Sequence, residues 1–194
     1  MTDFDDPYVY PGTTILRNRL NIRDSDLLDR IERRLVVQRL REGVPAGSFD
    51  LAHLRMIHRH LFQDVYEWAG ELRTVELSRA GHQFQFRQYI LTGITDVHRR
   101  VVAANFLIGL SADEFAAGAA VIVGDVNYIH PFREGNGRTQ LQYLKQLALR
   151  AGHLIDLAKL DPTVWIEASK ASHEANYDRM AEAIRITISD PAEN

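Results

Sequence analysis

The sequence contains no cysteine, no long hydrophobic run and no strongly basic balance of charge. The absence of cysteine excludes disulfide scaffolds, thiolate metal sites, iron–sulfur clusters and cysteine nucleophiles. The longest mainly apolar stretch, residues 115–123, is about half the length that crosses a bilayer. The net charge of −3 differs from the basic surface typical of nucleic-acid binders. We therefore expect no membrane contact and no direct binding of nucleic acid.

The organisation of the chain is that of a soluble globular protein. A length of 194 residues, without a linker, a repeat or a low-complexity tract, predicts a single domain over residues 1–194 with its core at about residues 24–190. The first residues are acidic, whereas a secretory signal would be basic and then apolar. We expect a cytoplasmic protein, or one delivered into a host cell if it is an effector.

Apolar residues at helical spacing dominate the sequence. Helices are predicted over residues 24–41, 48–62 with Ser48 as a possible N-cap, 88–107, 111–130 and 136–151, followed by one that Asp161 and Pro162 open and one that carries Tyr177, Met180, Ile184 and Ile188. Ser111 and Glu114 form a capping box, and the helix after them is apolar almost all round. Such a helix is normally the buried centre of a bundle.

The apolar period changes to two in one short region. Val75 and Leu77 alternate with polar residues, Ala80-Gly81 offers a turn, and Phe84 and Phe86 alternate again. An isolated hairpin is marginal in water, so this one must pack on the core or be completed by a partner strand. The predicted fold is all-α, a helical bundle around a buried central helix with one short β-hairpin.

The chemistry is concentrated in the segment from His130 to Thr139. Two glycines bracket Asn136 and lead into a helix, whose first amides are unpaired and attract phosphate. Glu134 suits Mg²⁺ that bridges phosphate oxygens, Arg138 suits an anion, and His130 suits a proton acceptor. The alternative is a plain helix–turn–helix corner with His130 as a cap and a surface ion pair between Glu134 and Arg138.

The sequence HPFREGNGRT resembles the signature of the Fic family, H-x-F-x-[D/E]-G-N-G-R-x-x-R. Further segments that resemble the family are Tyr10-Pro-Gly-Thr, Leu16-Arg-Asn18, residues 65–73, the hairpin and Asp161-Pro-x-x-Trp165. The resemblance implies a Fic-like helical fold and an adenylyltransferase, which moves AMP from Mg-ATP to a Tyr, Ser or Thr hydroxyl of a target protein. ATP and Mg²⁺ are thus the implied nucleotide and metal.

The resemblance also implies a role for each motif residue. His130 would deprotonate the incoming hydroxyl, Phe132 would anchor the loop in the core, Glu134 would hold Mg²⁺, and Gly135, Asn136, Gly137 and Arg138 would bind the phosphates. The hairpin would be a flap that docks an extended segment of the target by strand addition, through Val75, Leu77, Phe84 and Phe86.

The sequence departs from the family pattern at Leu141, where the second arginine of the motif is expected. Leucine cannot grip a terminal phosphate, so three alternatives stay open. Arg133 or another arginine substitutes, ATP binds more weakly, or the donor or its pose differs. The corresponding alternatives for function are a degenerate nucleotide-binding scaffold and a relative that transfers another phosphate-containing group.

The inhibitory pattern of the family, [S/T]-x-x-x-E-[G/N], is missing. The nearest match starts at Thr163 and fails at Ala168. The absence resembles the toxin half of a toxin–antitoxin pair or the catalytic part of a secreted effector, and it predicts a small helical inhibitor in trans.

Other conspicuous residues are given structural roles. His53, His58 and His60 lack a carboxylate that would complete a metal site, and Trp68 and Trp165 are expected to be core anchors.

Overall fold

The computed structural model describes residues 6–79 and 81–189, and helices dominate them. The seven α-helices of these residues are α1 (Ser25–Arg41), α2 (Leu51–Phe62), α3 (Ile90–Ala103), α4 (Ala112–Ile129), α5 (Asn136–Ala151), α6 (Pro162–Ala171) and α7 (Asp178–Thr187). A two-stranded antiparallel hairpin, β1 (Ser78–Arg79) and β2 (His82–Gln83), separates α2 from α3. The predicted all-α fold with one short hairpin is confirmed.

Helix α4 lies at the centre of the bundle, as its composition predicts. The capping box is present, because the Ser111 hydroxyl accepts from the Glu114 amide and the Glu114 carboxylate accepts from the Ser111 amide. Helices α3, α5 and α7 pack against α4. Phe115 and Val123 on this helix are fully buried. Since α4 ends at the motif and α5 starts within it, the motif is supported by the best-packed part of the molecule.

Two predicted helix ends differ from the structure. Helix α2 is capped by Asp50, whose carboxylate accepts from the amide of His53, while Ser48 bonds to that carboxylate instead. A left-handed backbone at Phe49 (φ 65°) separates Ser48 from the helix. Helix α3 stops at Ala103, because positive φ angles at residues 105–107 turn the chain. That turn brings the buried Leu107 side chain against Gly118 of α4.

The hairpin is shorter than the alternating pattern predicts. The strand pairs are Ser78 with Gln83 and Arg79 with His82, and Ala80 lies outside the described residues. The Phe84 amide continues the ladder by donating to the Leu77 carbonyl at 3.1 Å. Among the described residues, no helix is both long and apolar enough to span a bilayer.

Close packing of α4 against the C-terminal helices makes Gly124 a sensitive position. A Cβ there would lie 2.7 Å from ring atoms of Tyr177 and 3.1 Å from the Ser172 Cβ. We expect Gly124→Ala to lower the free energy of unfolding by about 1–3 kcal/mol, because overpacking outweighs the gain in helix propensity. Urea denaturation measures this change.

Gly118→Ala is the matched control on the same helix. Its Cβ would meet the flexible end of Leu107, the nearest atom at 2.9 Å. Equal losses of stability in the two variants would contradict this account of the packing.

Candidate active site

The motif forms a tight loop between α4 and α5. His130, which ends α4, is left-handed (φ 48°, ψ 62°), and Gly135 before α5 is also left-handed (φ 80°). A Cβ at Gly135 would lie 2.4 Å from the Phe62 ring, so both the backbone angle and the space require glycine. The loop therefore turns sharply enough to bring the end of α4 beside the start of α5.

The buried guanidinium of Arg73 holds the backbone of this loop. Its Nε donates to the His130 carbonyl at 2.8 Å, and Nη1 donates to the Val75 carbonyl at 2.7 Å. Nη2 donates to the carbonyls of Gln85 and Ile129. The Arg73 side chain is 0% exposed, although Glu76 pairs with it at 3.3 Å. One side chain thus joins the end of α4 to both sides of the hairpin.

The imidazole of His130 is held as a neutral ring. Nδ1 lies 3.1 Å from the Asn127 carbonyl, which can only accept, so Nδ1 carries the proton and Nε2 keeps its lone pair. The Phe84 ring stacks on the imidazole at 3.7 Å between centroids. Burial, together with neighbouring cations such as Arg73, lowers the pKa of His130 to about 4. The ring is therefore an unprotonated acceptor at neutral pH.

Phe132, the expected anchor, is buried in an aromatic cluster. Its ring stacks on His58 with 3.9 Å between centroids. His58 accepts from the Gly70 amide at Nδ1, and its Nε2 donates to the Glu134 carbonyl at 2.9 Å. Burial lowers the pKa of His58 to about 4, so this ring is also neutral. His58 is a structural brace for the loop, as expected.

The other two histidines of α2 also bond to the protein. His53 Nδ1 accepts from the Phe49 amide, and His60 Nε2 lies 2.8 Å from the Arg39 carbonyl. No group of acidic and histidine side chains within the described ranges has the arrangement of a metal site.

Asn136 braces the loop as well. Its Oδ1 accepts from the Phe132 amide at 3.0 Å and its Nδ2 donates to the Phe132 carbonyl at 2.8 Å. The side chain was expected to donate to phosphate, and the structure commits one of its two N–H groups to the loop.

The first amides of α5 lie where the glycines predict an anion site. The first bond of the helix runs from the Thr139 amide to the Gly135 carbonyl, so the amides of residues 136–138 precede it. The Gly135 amide instead donates to Glu134 Oε1 at 2.8 Å. Three amides with partial positive charge therefore precede the first hydrogen bond of the helix.

Arg138 is held by carboxylates rather than left free for a ligand. Nη1 lies 2.6 Å from Glu32 Oε1 on α1, and Nη2 lies 3.5 Å from Glu134 Oε1. Glu32 is buried and accepts a short hydrogen bond from Tyr66, while the guanidinium lies over the Phe62 ring. The sequence predicts an anionic ligand for Arg138, a cation in the first turn of a helix. In the structure, the anion that pairs with Arg138 is the Glu32 carboxylate of the protein itself.

Arg133 and Leu141, the residues that bear on the missing second arginine of the motif, both lie outside the cavity lining. Arg133 pairs with Asp6 through Nε at 3.0 Å and Nη2 at 2.8 Å, away from the cavity. Leu141 packs against the hydrophobic core. Arg133 therefore pairs with Asp6 and does not line the cavity.

A cavity of about 220 Å³ lies beside the motif. The motif and α5 contribute His130, Glu134, Gly135, Asn136, Gly137 and Gln140. The hairpin region contributes Arg79, His82 and Phe84. Helix α6 contributes Trp165, Ile166, Ser169 and Lys170. Trp165 is buried as expected of a core anchor, and it also forms part of the cavity wall.

The four expected flap residues have different environments. Phe84 is buried against His130, whereas Phe86 is 53% exposed. Val75 and Leu77 are half-buried. Phe86 is the aromatic residue that is free to meet another protein.

Sequence reasoning missed three residues of the site. Arg73 and Glu32 act on residues 57 and 106 positions away along the chain, and no local spacing indicates such pairs. Arg79 is a single basic residue near a turn, and only the closure of the hairpin over the loop brings it to the cavity. The run of residues 65–73 that resembles the family was the one available signal for Arg73.

Known proteins match this chain over most of its length. The model of the Fic/DOC family matches residues 48–148. The probable protein adenylyltransferase y4lH of Sinorhizobium fredii is 41% identical over 95% of this chain and 96% of its own length. The protein adenylyltransferase VbhT of Bartonella schoenbuchensis is 36% identical over 96% of this chain, which spans 40% of VbhT.

Solved structures show the same fold. The BepC protein of Bartonella tribocorum, a VirB-translocated effector crystallised with AMPPNP, superposes with a TM-score of 0.86 at 27% identity, over 97% of this chain and 99% of that one. An N-terminal Fic domain of Bartonella quintana with bound ADP gives a TM-score of 0.86 at 28% identity, over 96% of each chain. The chain belongs to the Fic/DOC family, and it is an enzyme of the nucleotidyltransferase class.

Proposed function

We propose that this enzyme transfers AMP from ATP to a hydroxyl side chain of a target protein. The observation that carries the proposal is that a neutral imidazole, His130, lines the same cavity as the free amides at the start of α5. One group accepts a proton, and the other binds phosphate. The bound AMPPNP and ADP of the two solved neighbours support an adenine nucleotide as the ligand.

His130 acts as the general base in this reaction. Its Nε2 accepts the proton of the incoming hydroxyl, while the bond from Nδ1–H to the Asn127 carbonyl holds the ring in the required tautomer. The hydroxyl oxygen attacks the α-phosphorus, and the bond from that phosphorus to the oxygen bridging to the β-phosphorus breaks. AMP stays on the target, and pyrophosphate leaves with the electron pair.

The start of α5 positions the phosphates and stabilises their charge. Such transfer needs little covalent chemistry from the protein, because in-line placement and charge neutralisation supply most of the rate. The amides of residues 136–138 point at the phosphates without any reorganisation, since Gly135 and Asn136 are already locked in the loop. Gly137 has open space where a Cβ would stand, which lets the phosphate approach the backbone.

Glu134 fits the expected role as a ligand of Mg²⁺. Its carboxylate lines the cavity and is 46% exposed, and Gly135 and Arg138 bond to Oε1 alone. Magnesium in nucleotide sites is typically held by one or two carboxylates together with phosphates and water. A single carboxylate therefore fits, and bound Mg²⁺ would neutralise charge on the phosphate oxygens.

The target is proposed to dock on the hairpin as an added strand. The paired residues Ser78, Arg79, His82 and Gln83 are all exposed, and Phe86 beyond them is exposed as well. An extended segment could pair with this edge and bring its hydroxyl towards His130.

A small helical inhibitor in trans remains part of the proposal, as does a toxin–antitoxin role. Among the described residues that line the cavity, Glu134 is the one carboxylate. Glu167 of the incomplete inhibitory pattern is exposed and pairs with Lys170 at 2.7 Å.

Radiolabelled ATP tests the proposed reaction in a cell lysate. We expect label from the α-phosphate to stay on a protein, label from the γ-phosphate not to stay, and His130→Ala to reduce the incorporation at least about 100-fold. Binding of AMPPNP to His130→Ala, measured by calorimetry, should persist because the variant loses the base and keeps the amides.

Other outcomes identify the alternatives. Retention of γ-label would indicate transfer of phosphate. Nucleotide binding without any transfer would favour a degenerate scaffold, the function that the loss of the motif arginine at Leu141 suggests.

The Phe84 ring explains why His130 is a neutral base. We expect Phe84→Ala to expose the imidazole and to raise its pKa from about 4 towards the ordinary 6.5. A histidine with a low pKa stays unprotonated as the pH falls, so wild-type activity should be flat from pH 8 to 6 with respect to this group. The variant should lose activity in that window. NMR titration of the imidazole measures the pKa directly.

Phe86→Ala is the control for this experiment, because Phe86 lies on the same hairpin and is exposed. An unchanged His130 pKa in Phe84→Ala, or an equal shift in both variants, would count against burial by Phe84 as the cause.

Arg79 is the arginine that we expect to bind the phosphate charge in place of the motif arginine, which is Leu141 in this chain. It lines the cavity, and no ion pair within the described residues engages it. We expect Arg79→Gln to raise the KM for ATP about three- to tenfold, since a charged hydrogen bond to phosphate is lost. Arg87→Gln is the control, because Arg87 lies near the base of the hairpin and faces Glu76 at 3.7 Å. Similar KM values in wild type and Arg79→Gln would exclude this substitution for the missing arginine.

A further inference from the structure

Gln140 is a buried polar side chain that the mechanism does not use. It lies on α5, one helical turn beyond Asn136, and is 2% exposed. Its Nε2 has no hydrogen-bond partner, and the side chain lines the cavity. A buried amide without a partner costs free energy, so native proteins retain few of them without a reason.

Among the described residues that line the cavity, Gln140 and the half-buried His173 have a buried nitrogen without a hydrogen-bond partner, and Gln140 is the more buried of the two. Asn136 makes two bonds to the Phe132 backbone, and the Thr139 hydroxyl donates to the Gly135 carbonyl at 3.0 Å. Asn127, across the cavity, donates to the Ser169 carbonyl at 3.0 Å. These side chains hydrogen-bond to the backbone of the protein, whereas Gln140 Nε2 has no partner within the described chain. The cavity beside it is the space from which a partner can come.

The position along α5 indicates which part of a nucleotide lies near Gln140. In the proposed function, the free amides of residues 136–138 bind phosphate at the N-terminus of α5. A helix rises 1.5 Å per residue, so Gln140 lies about one helical turn further along α5 from these amides. Trp165 and Ile166 of α6 supply an apolar wall to the same cavity, as a nucleoside requires.

We propose that the Gln140 carboxamide hydrogen-bonds to the nucleoside part of the bound nucleotide and determines nucleotide specificity. A carboxamide carries a donor and an acceptor side by side, which matches a ribose hydroxyl or the edge of a base. The inference rests on the proposed nucleotide transfer and extends it, because it adds a residue that distinguishes a nucleotide from a bare polyphosphate.

The test compares Gln140→Met with wild type by calorimetry of AMPPNP in the absence of a target protein, so that no acceptor hydroxyl is present for transfer. Methionine keeps the length of the side chain and removes both hydrogen-bonding groups. We expect Kd to rise about five- to twentyfold for AMPPNP and to stay within twofold for tripolyphosphate. If the partner is a ribose hydroxyl, the effect of the substitution disappears for 2′-deoxy-ATP. If it is the base, the preference for ATP over GTP shrinks.

Thermal denaturation distinguishes a binding role of Gln140 from a structural one. Replacing an unpartnered buried amide by an apolar group should leave Tm of the ligand-free protein unchanged or raise it. Gln142→Met is the matched control, because Gln142 lies on the same helix and lines a different surface groove. We expect the control to leave both Kd and Tm unchanged.

Two results would overturn the assignment of Gln140. They are an unchanged Kd for AMPPNP, whether or not Tm falls, and an equal loss of affinity for tripolyphosphate. If wild type itself binds no nucleotide, the proposed function fails first. If wild type binds AMPPNP and Gln140→Met binds it equally well, only the role of Gln140 is wrong.

Discussion

The hydrogen bonds of the buried Arg73 guanidinium hold together the two parts of the molecule that make the active site. They gather carbonyls from the end of α4, from His130 and from both sides of the hairpin. A left-handed backbone at a residue other than glycine is strained and persists only where its surroundings hold it. Together with the Gln85 amide, which donates to the Tyr128 carbonyl at 3.0 Å, the guanidinium ties the left-handed His130 to the hairpin region whose Phe84 covers its ring. The position and the protonation state of the base therefore share one cause.

The charges of the site form two groups that meet at Glu134, which lines the cavity and lies 3.5 Å from Arg138. Glu32 neutralises Arg138 on the side of α1, where Phe62 and Tyr66 also contact the pair. The cavity side keeps the free amides, Glu134 and Arg79. Because Arg138 is paired with two carboxylates, the proposed phosphate binding relies more on the helix amides and on Arg79. With Leu141 in the core, the site depends less on arginines of the motif than the family signature suggests.

The helices could be predicted where local signals set them. The caps at Ser111 and Asp161 are side chains that bond to amides two or three residues away, so sequence and structure agree there. The prediction failed where a competing local choice was available. Asp50, and not Ser48, is the N-cap of α2. Helix α3 ends at a left-handed turn before its apolar pattern ends.

The sequence by itself determined the bundle, its buried central helix and the residues of the motif loop, because these depend on helical period and on neighbours within ten positions. Only the tertiary structure decided how those residues are used. It assigned Asn136 to the loop and Arg138 to Glu32, placed Phe84 on His130, and left Gln140 without a partner in the cavity. Each of these depends on which groups compete for one donor or one buried space, and residues far apart in the chain meet there only after the helices have packed.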